Sequence, residues 1–455
     1  MSKMSYFESK YLTIVGHVQS GKTNEEINYC YNSINTLRTP VIFIVRNITA
    51  DQLQLRDRFH KSDSGLRVKL LSSFTRIEKA VEFMESLGII ILLCNETQLR
   101  KIKNILVIFN NVYNVCIDEV DFSIKSKDQT TPTDILLSEI KTNATYILGA
   151  TATPFALFSS EKSLTLVKKI KPNNNYHGIE SLTIKYVDSC IIRSEDDFPL
   201  CDMGAMDEIY NDFLEKDHGV ILHTVVKERN NHYKIQKYLV NVYPEMTVLT
   251  YNGDGIKVVC KNRNTVPFAD KKSLNNYNQL INKYYILYRD DHTIHYFQNY
   301  SISEVLQLLV DDPEHNHTHI SIIAGHLASR GISFVSSDYS LHLTDQYLYA
   351  AKNTHGENLL QSLRILGCYN DTIPLTLWCS KNTWKSIINQ NKIINNLVNG
   401  VNNSIHWMAK IKEIYINKPN APLTRPKLCN YTVTPSNDSF VLDIIYSTSE
   451  LEEDI

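Results

Sequence analysis

Uninterrupted apolar runs alternate with amphipathic stretches through most of this chain, and that rhythm constrains the fold more than any other feature. VIFIV (Val41–Val45) and IIILL (Ile89–Leu93) are one strand long and offer no polar residue to solvent. A strand apolar on both faces must be covered on both faces, the condition of a parallel sheet sandwiched between helices. Tyr11–Val15, Val68–Leu71, Asn114–Ile117 and Tyr146–Leu148 extend the strand series. The intervening text predicts helices over Thr23–Asn35, through DQLQLRDRF, over Ile77–Ser86 and over Glu96–Ile105.

Near Met203 the rhythm restarts. Helices are expected over Met206–Glu215, Asn231–Val240, Ser303–Leu309 and Asn358–Leu366. Strands are expected over Val220–Leu222, Thr247–Tyr251, Ile320–Ala324, Tyr339–Leu343 and Pro374–Trp378. Between about 252 and 300 the pattern breaks into charged, Asn- and Tyr-rich text, where YYILYRDDHTIHYF reads as a hairpin turning at Asp290-Asp291. A chain of 455 residues exceeds one ordinary core. The expected organisation is an α/β domain over 1–203, a second over 204–382 carrying the 252–300 insertion, and a helical C-terminal extension over 383–455. The acidic tail SELEEDI reads as disordered.

The formal net charge of −2 gives no global basic character, so any nucleic-acid contact must come from a local patch. The 9 Cys include no C-x-x-C pair and read as reduced thiols of an intracellular protein. The N-terminus does not read as a signal peptide, and no apolar run reaches membrane-spanning length. Abundant Asn, Ile, Lys and Tyr suggest an AT-rich coding genome, such as that of a large virus, phage or plasmid.

Directly after the first apolar run stands GHVQSGKT, Gly16 to Thr23. It fits G-x-x-x-x-G-K-[ST], in which backbone N–H groups and a helix N-terminus cradle phosphates. Gly16 and Gly21 allow backbone conformations that a Cβ would hinder. Gln19 and Ser20 complete the loop, Lys22 would reach the β- and γ-phosphates, and Thr23 would offer its hydroxyl to Mg2+. A nucleoside-triphosphate site also needs a carboxylate at the end of another strand. VCIDEVD supplies it: Asp118 would hold Mg2+ and Glu119 would polarise the attacking water. ATP and Mg2+ are the expected cofactors.

Beyond these, Asp118-Glu119-Val120-Asp121 with Thr151-Ala152-Thr153 resembles motifs II and III of superfamily-two helicases. GHLASRGISF (Gly325–Phe334) resembles their motif V, with Ser329, Arg330 and Gly331 at its centre. LLQSLRILGCY (Leu359–Tyr369) resembles motif VI, with Gln361 and Arg364 expected on one helix face. The loop, TATPFA, ASRGIS and LLQSLRILG together resemble the Z-one-domain family of helicase-like ATPases, found in bacterial, phage and plasmid proteins and associated there with endonucleases. RNITADQLQLRDRF, LLCNETQLRKI and NYHGIESL add to the resemblance, which spans roughly residues 10 to 380.

That resemblance implies two RecA-like domains with an ATP site at their cleft, Arg364 with Arg330 sensing the nucleotide, and Gln361 contributing to nucleotide binding. It implies a motor that moves or remodels DNA or RNA. The sequence departs from the pattern at Leu363, where Gly is usual, and at Gly367, where a second Arg is expected. These departures leave open an ATP-gated switch with protein partners. A nuclease-associated ATPase is the other alternative, although no nuclease constellation is visible. Neither oligomeric state nor the choice between DNA and RNA is legible.

EHNHTHI sets His315, His317 and His319 in alternation, better read as a polar loop than a metal site. The insertion mixes Lys257, Lys261, Arg263, Lys271 and Lys272 with Tyr284, Tyr285 and Tyr288, types that suit phosphate contact and base stacking. A solvated hairpin is the plainer reading.

Overall fold

The computed structural model describes residues 6–62, 65–123, 131–154, 166–187, 191–193, 199–201, 203–225, 229–261, 291–297, 300–312, 317–325, 328, 331–350, 354, 356–369 and 374–401. The chain divides into two compact units, one comprising residues up to Asn174 together with the chain from Ile388, the other Asn175–Ile387. The second division falls inside the helix Lys381–Val401.

In the first unit, seven strands form one sheet: β1 (Tyr11–Val15), β2 (Val41–Val45), β3 (Val68–Leu70), β4 (Ile89–Leu93), β5 (Asn114–Ile117), β6 (Ile147–Thr151) and β7 (Leu166–Lys169). Their order is β3-β4-β2-β5-β6-β1-β7, and every pairing is parallel. The runs with no polar residue, β2 and β4, are buried along their whole length. Five helices connect the strands: α1 (Lys22–Asn35), α2 (Thr49–Lys61), α3 (Ile77–Glu85), α4 (Glu96–Phe109) and α5 (Pro132–Asn143). Local chemistry sets their starts. Asn95 accepts from the Gln98 N–H at 3.0 Å, and Thr131 forms a reciprocal cap with Asp134 ahead of Pro132. Phe59 of α2 meets Phe43 of β2 edge-on at 5.9 Å and anchors that helix to the sheet.

The second unit begins with β8 (Tyr176–His177), β9 (Leu182–Tyr186), β10 (Ile191–Arg193) and β11 (Pro199–Cys201). It continues through β12 (Gly219–Thr224), β13 (Thr247–Asn252), β14 (Gly255–Lys261), β15 (His292–Phe297) and β16 (His319–Ala324). β17 (Asp345–Tyr347), β18 (Gly367–Cys368) and β19 (Leu375–Cys379) complete it. Eight of them form a sheet ordered β15-β14-β13-β16-β12-β17-β19-β9, antiparallel only where β13, β14 and β15 meet. The α/β class with two mostly parallel, helix-covered sheets is therefore the observed architecture, as RecA-like domains require. β9, which the sequence rhythm grouped with the first domain, pairs in parallel with β19 of this second sheet.

Two local expectations are corrected, and a third lies partly outside the described residues. Tyr339–Leu343 is not a strand. Asp338 accepts from the Ser340 N–H at 2.9 Å and from the Ser336 and Ser340 hydroxyls at 2.6 and 2.7 Å, tying a polar turn that puts Tyr339 at φ +65°. The helix expected through Leu366 ends at Gln361. The Gln346 side chain takes over its hydrogen bonds, accepting from the Arg364 and Ile365 N–H groups at 2.9 and 3.0 Å and donating to the Ser362 carbonyl at 2.7 Å. The hairpin expected around Asp290-Asp291 has its first arm outside the described residues, while His292–Phe297 pairs antiparallel with Gly255–Lys261.

Candidate functional site

The first sheet gathers the sequence motifs at one edge. Val15 at the end of β1 lies in register with Thr151 at the end of β6, and Ile117 at the end of β5 with Gly149. The loop after β1, the acids after β5 and the threonines of β6 therefore meet outside the carboxyl ends of the strands. β1 sits between β6 and β7, and its chain continues to β2 beyond β6 and β5. Such a departure point opens a crevice, the usual place for a ligand in a parallel α/β sheet.

The loop is wound tightly. The Gly16 N–H donates to the Thr151 carbonyl at 3.2 Å and the Ser20 N–H to the His17 carbonyl at 3.2 Å. A Cβ on Gly16 would lie 2.7 Å from Ser20 Oγ and 3.1 Å from Lys22 Cγ, so the position demands glycine. Gly21 holds φ +92° at the cap of α1, and Gln19 is left-handed at φ +56°. Lys22, 8% exposed, folds its ammonium back onto the His17 carbonyl at 3.0 Å. The loop's own His17 carbonyl thus accepts from the Lys22 ammonium.

Asp118 and Glu119 stand where the sequence placed them. The Asp118 N–H donates to the Ile44 carbonyl of β2 at 3.1 Å, continuing the sheet by one residue. Burial, reinforced by the neighbouring Glu119 and Asp51 carboxylates, raises the Asp118 carboxyl to about 7, against the pull of Lys22 and Arg46. Glu119 is buried and left-handed at φ +51°, a strained conformation for a non-glycine residue that concentrates at functional sites.

The two threonines bind the acidic corner. Thr151 Oγ1 donates to Asp121 Oδ1 at 2.9 Å, and Thr153 Oγ1 to Asp121 Oδ2 at 3.2 Å. All three residues are fully buried. One buried carboxylate thus ties the segment after β5 to the end of β6 and the residues that follow it.

Several residues at this edge had no assigned role. Arg46 holds Asp51 through two bonds, Nε to Oδ2 at 2.7 Å and Nη2 to Oδ1 at 3.0 Å, both side chains nearly buried. Glu26 of α1 is fully buried, with neither carboxyl oxygen hydrogen-bonded among the described residues; Ser20 Oγ is in the same position. Burial, with Asp118 second, raises the Glu26 carboxyl well above its ordinary range. Its signal was present in the sequence: positions 22, 26, 29, 30 and 33 form the buried stripe of α1, and Glu26 is an acid on that stripe. Arg58 of α2 reaches Thr23, and no local pattern announces that contact.

The donor set suits Mg2+. Among the described residues no cluster of three or more His, Cys, Asp or Glu could hold a metal alone. Mg2+ prefers hard oxygen ligands, keeps several waters and usually takes one or two protein oxygens plus phosphates. The Thr23 hydroxyl and the Asp118 carboxylate match that partial set, and the unbonded Glu26 oxygens could accept from metal-bound water.

In the second unit Arg364 is buried, its Nη1 donating to the Ile332 carbonyl at 3.3 Å and its Nη2 to the Gln361 carbonyl. Gln361 is buried as well but is not on a common helix face with it, because the helix has ended. Arg330 and Ser329 lie outside the described residues, as do His315, Arg263, Lys271, Lys272, Tyr284, Tyr285 and Tyr288. His317 and His319 face separate partners, Thr247 Oγ1 at 2.7 Å and the Lys216 carbonyl at 2.8 Å. Lys257, expected among the basic groups of the insertion, is 1% exposed, and its ammonium donates to the Tyr233 hydroxyl at 2.6 Å. It is a core residue and unavailable to a phosphate backbone.

No family model and no curated protein matches this sequence. Among solved structures the chain is similar to the DUF1998 helicase MrfA bound to DNA, at 10% identity and TM-score 0.48, covering 87% of this chain and 50% of that one. It is similar to Mycobacterium smegmatis helicase Lhr bound to ssDNA and AMP-PNP, at 10% identity and TM-score 0.47, covering 84% and 46%. It is also similar to S. cerevisiae Dbp5 bound to RNA and ADP BeF3, at 11% identity and TM-score 0.48, covering 85% and 84%. The chain thus spans about half the length of the first two. The fold assignment rests on the strand orders and registers given above. Among the described residues no helix is long and apolar enough to cross a membrane.

Proposed function

We propose that this chain is an ATP-hydrolysing, nucleic-acid-dependent motor of the helicase or translocase type, of the kind the Z-one-domain resemblance implies. The observation that supports it best is the link from Asp121 to Thr151 and Thr153 beside a complete phosphate loop. Such a tie would carry a change at the acidic strand end to the next strand, the kind of link by which a motor passes hydrolysis on to a second binding site.

In this reading the loop amides from Gly16 to Thr23 and the N-terminus of α1 receive the phosphates. Lys22 leaves the His17 carbonyl for the β- and γ-phosphate oxygens. Glu119 orients the attacking water. Thr23 and Asp118 would hold Mg2+, which when bound neutralises charge on the β- and γ-phosphates. Ligation requires Asp118 ionised, and the metal's own charge favours that form. Arg364 and Arg330 are the proposed sensors of the terminal phosphate, with Gln361 assisting; for Arg364 this requires release of the Ile332 and Gln361 carbonyls.

The burial of Arg364 among those carbonyls favours a second reading, an ATP-gated switch that binds a partner without translocating. One experiment separates the two. Steady-state ATP turnover is measured with and without single-stranded DNA, duplex DNA and RNA, for the native chain and Lys22→Ala. A motor is stimulated many-fold by at least one nucleic acid and silenced by the substitution. Turnover indifferent to every nucleic acid supports the switch, and turnover unchanged by Lys22→Ala defeats both.

A further inference from the structure

Arg58 stands in the last turn of α2 and donates from Nη1 to Thr23 Oγ1 at 2.7 Å. The helix that carries it is firmly placed. Leu55 and Phe59 are buried in the core of the first unit, and the Arg46–Asp51 pair pins the helix start. The guanidinium is therefore delivered to the phosphate loop by a rigid element of the same unit.

We propose that Arg58 is a phosphate-binding residue that exchanges the Thr23 hydroxyl for the terminal phosphate of a nucleoside triphosphate. This rests on the nucleotide reading above. A threonine hydroxyl has one proton and two lone pairs. One lone pair of Thr23 Oγ1 is held by Arg58. A divalent cation held by the same oxygen would bring two like charges onto one atom of a partly buried site, where they repel. Arg58 would therefore release Thr23 as metal and nucleotide arrive. Thr23 closes a loop of the phosphate-binding pattern, so on the nucleotide reading the released fork would have phosphate oxygens within reach of its own side chain. Planar guanidinium and phosphate match in geometry and charge, and a lysine would not reproduce the two-pronged contact.

The test is equilibrium binding of fluorescent nucleotides in Mg2+, using a non-hydrolysable triphosphate analogue and the diphosphate. Arg58→Ala should weaken triphosphate binding by about ten- to a hundred-fold, the usual worth of a charge-assisted hydrogen bond, and change diphosphate binding far less. Arg58→Lys, which keeps the charge and stem, should fall between. Thermal melts of the ligand-free variants confirm that they fold. If Arg58→Ala binds the triphosphate as tightly as the native chain, or tighter, Arg58 only occupies the metal's place and the proposal is overturned. Equal losses for both nucleotides overturn it too. Lys22→Ala serves as the independent control: if it still binds both nucleotides normally, the underlying nucleotide site is wrong, whatever Arg58 does.

Discussion

The two sheets share an architecture but treat their buried charges in opposite ways. At the carboxyl edge of the first, Asp118, Glu119, Glu26, Lys22 and Arg46 are crowded together; the Lys22 ammonium rests on a loop carbonyl and the Glu26 carboxyl has no hydrogen bond among the described residues. In the second, three cations among the described residues rest on protein acceptors. Lys216 donates to Asp345 at 2.5 Å, Lys257 to Tyr233 at 2.6 Å, and Arg364 to two carbonyls. No glycine follows β12, where the first sheet carries the GHVQSGKT loop after β1. A buried carboxyl without a hydrogen bond, such as Glu26, is costly until a donor reaches it, whereas a cation already held by protein acceptors has less to gain from a ligand.

The largest test of this contrast is removal of one buried lysine from each unit. Lys22→Ala should lower ATP turnover by about a hundred-fold or more, because it removes a cation aimed at developing charge. Lys257→Met should leave turnover nearly unchanged and appear only as a shift in the thermal melt. Comparable loss of turnover from both would erase the distinction.

Next in size are the buried pairs. Arg46→Ala leaves Asp51 without its bidentate partner and should cost about 3–5 kcal/mol in denaturant unfolding. Lys216→Met should cost less, about 1–3 kcal/mol, since Asp345 keeps its bond from Thr344 at 2.8 Å.

The pH response should run in opposite directions. Asp118, raised by burial to about 7, and Glu26, raised well above its ordinary range, give the first unit stability in acid. That stability is lost as pH rises from the ordinary carboxylate range through about 7. His223, fully buried against Tyr210 and Tyr347, is lowered by burial to about 3, with His232 the lesser cause. Its contribution to the second unit is present above the ordinary histidine value near 6.5 and is lost as pH falls towards 3. Hydrogen exchange of the protein, read around α1 and around β12 between pH 4 and 8, should show the first loosening and the second tightening as pH rises. Glu26→Gln should flatten the first response. A parallel response in both units would contradict the assignment.

The smallest expected effect is on coupling. Asp121→Asn leaves one hydroxyl acceptor of two and should cost about 1 kcal/mol in stability. Its informative readout is a drop in the ratio of stimulated to basal turnover, with basal turnover largely kept. A variant stimulated as well as the native chain would show that the threonine link transmits nothing.

Much of the first unit was legible because its signals are local. VIFIV and IIILL have no polar face and can only be interior strands, and GHVQSGKT places its glycines where a tight turn needs them. Asp118 and Glu119 follow an apolar run and could be placed at a strand end from text alone. The second unit was less legible because its decisive contacts are distant. The helix ending at Gln361 is stopped by the side chain of Gln346, and β9 pairs with a strand nearly the whole unit away in sequence. Lys257 looked like a solvated basic residue because nothing near it in sequence shows that Tyr233 and Tyr296 enclose it.

The sequence by itself determined the α/β class, six of the seven strands of the first sheet, and the places of the GHVQSGKT turn and of Asp118-Glu119 at strand ends. Each is written in residues a few positions apart, where periodicity and backbone stereochemistry act. Only the tertiary structure decided which side chains complete the site: Glu26 beside Asp118, Asp121 tying Thr151 to Thr153, and Arg58 on Thr23. These depend on strand order, which is settled by the burial of whole faces rather than by any local pattern, and strand order brings together residues that the chain keeps far apart.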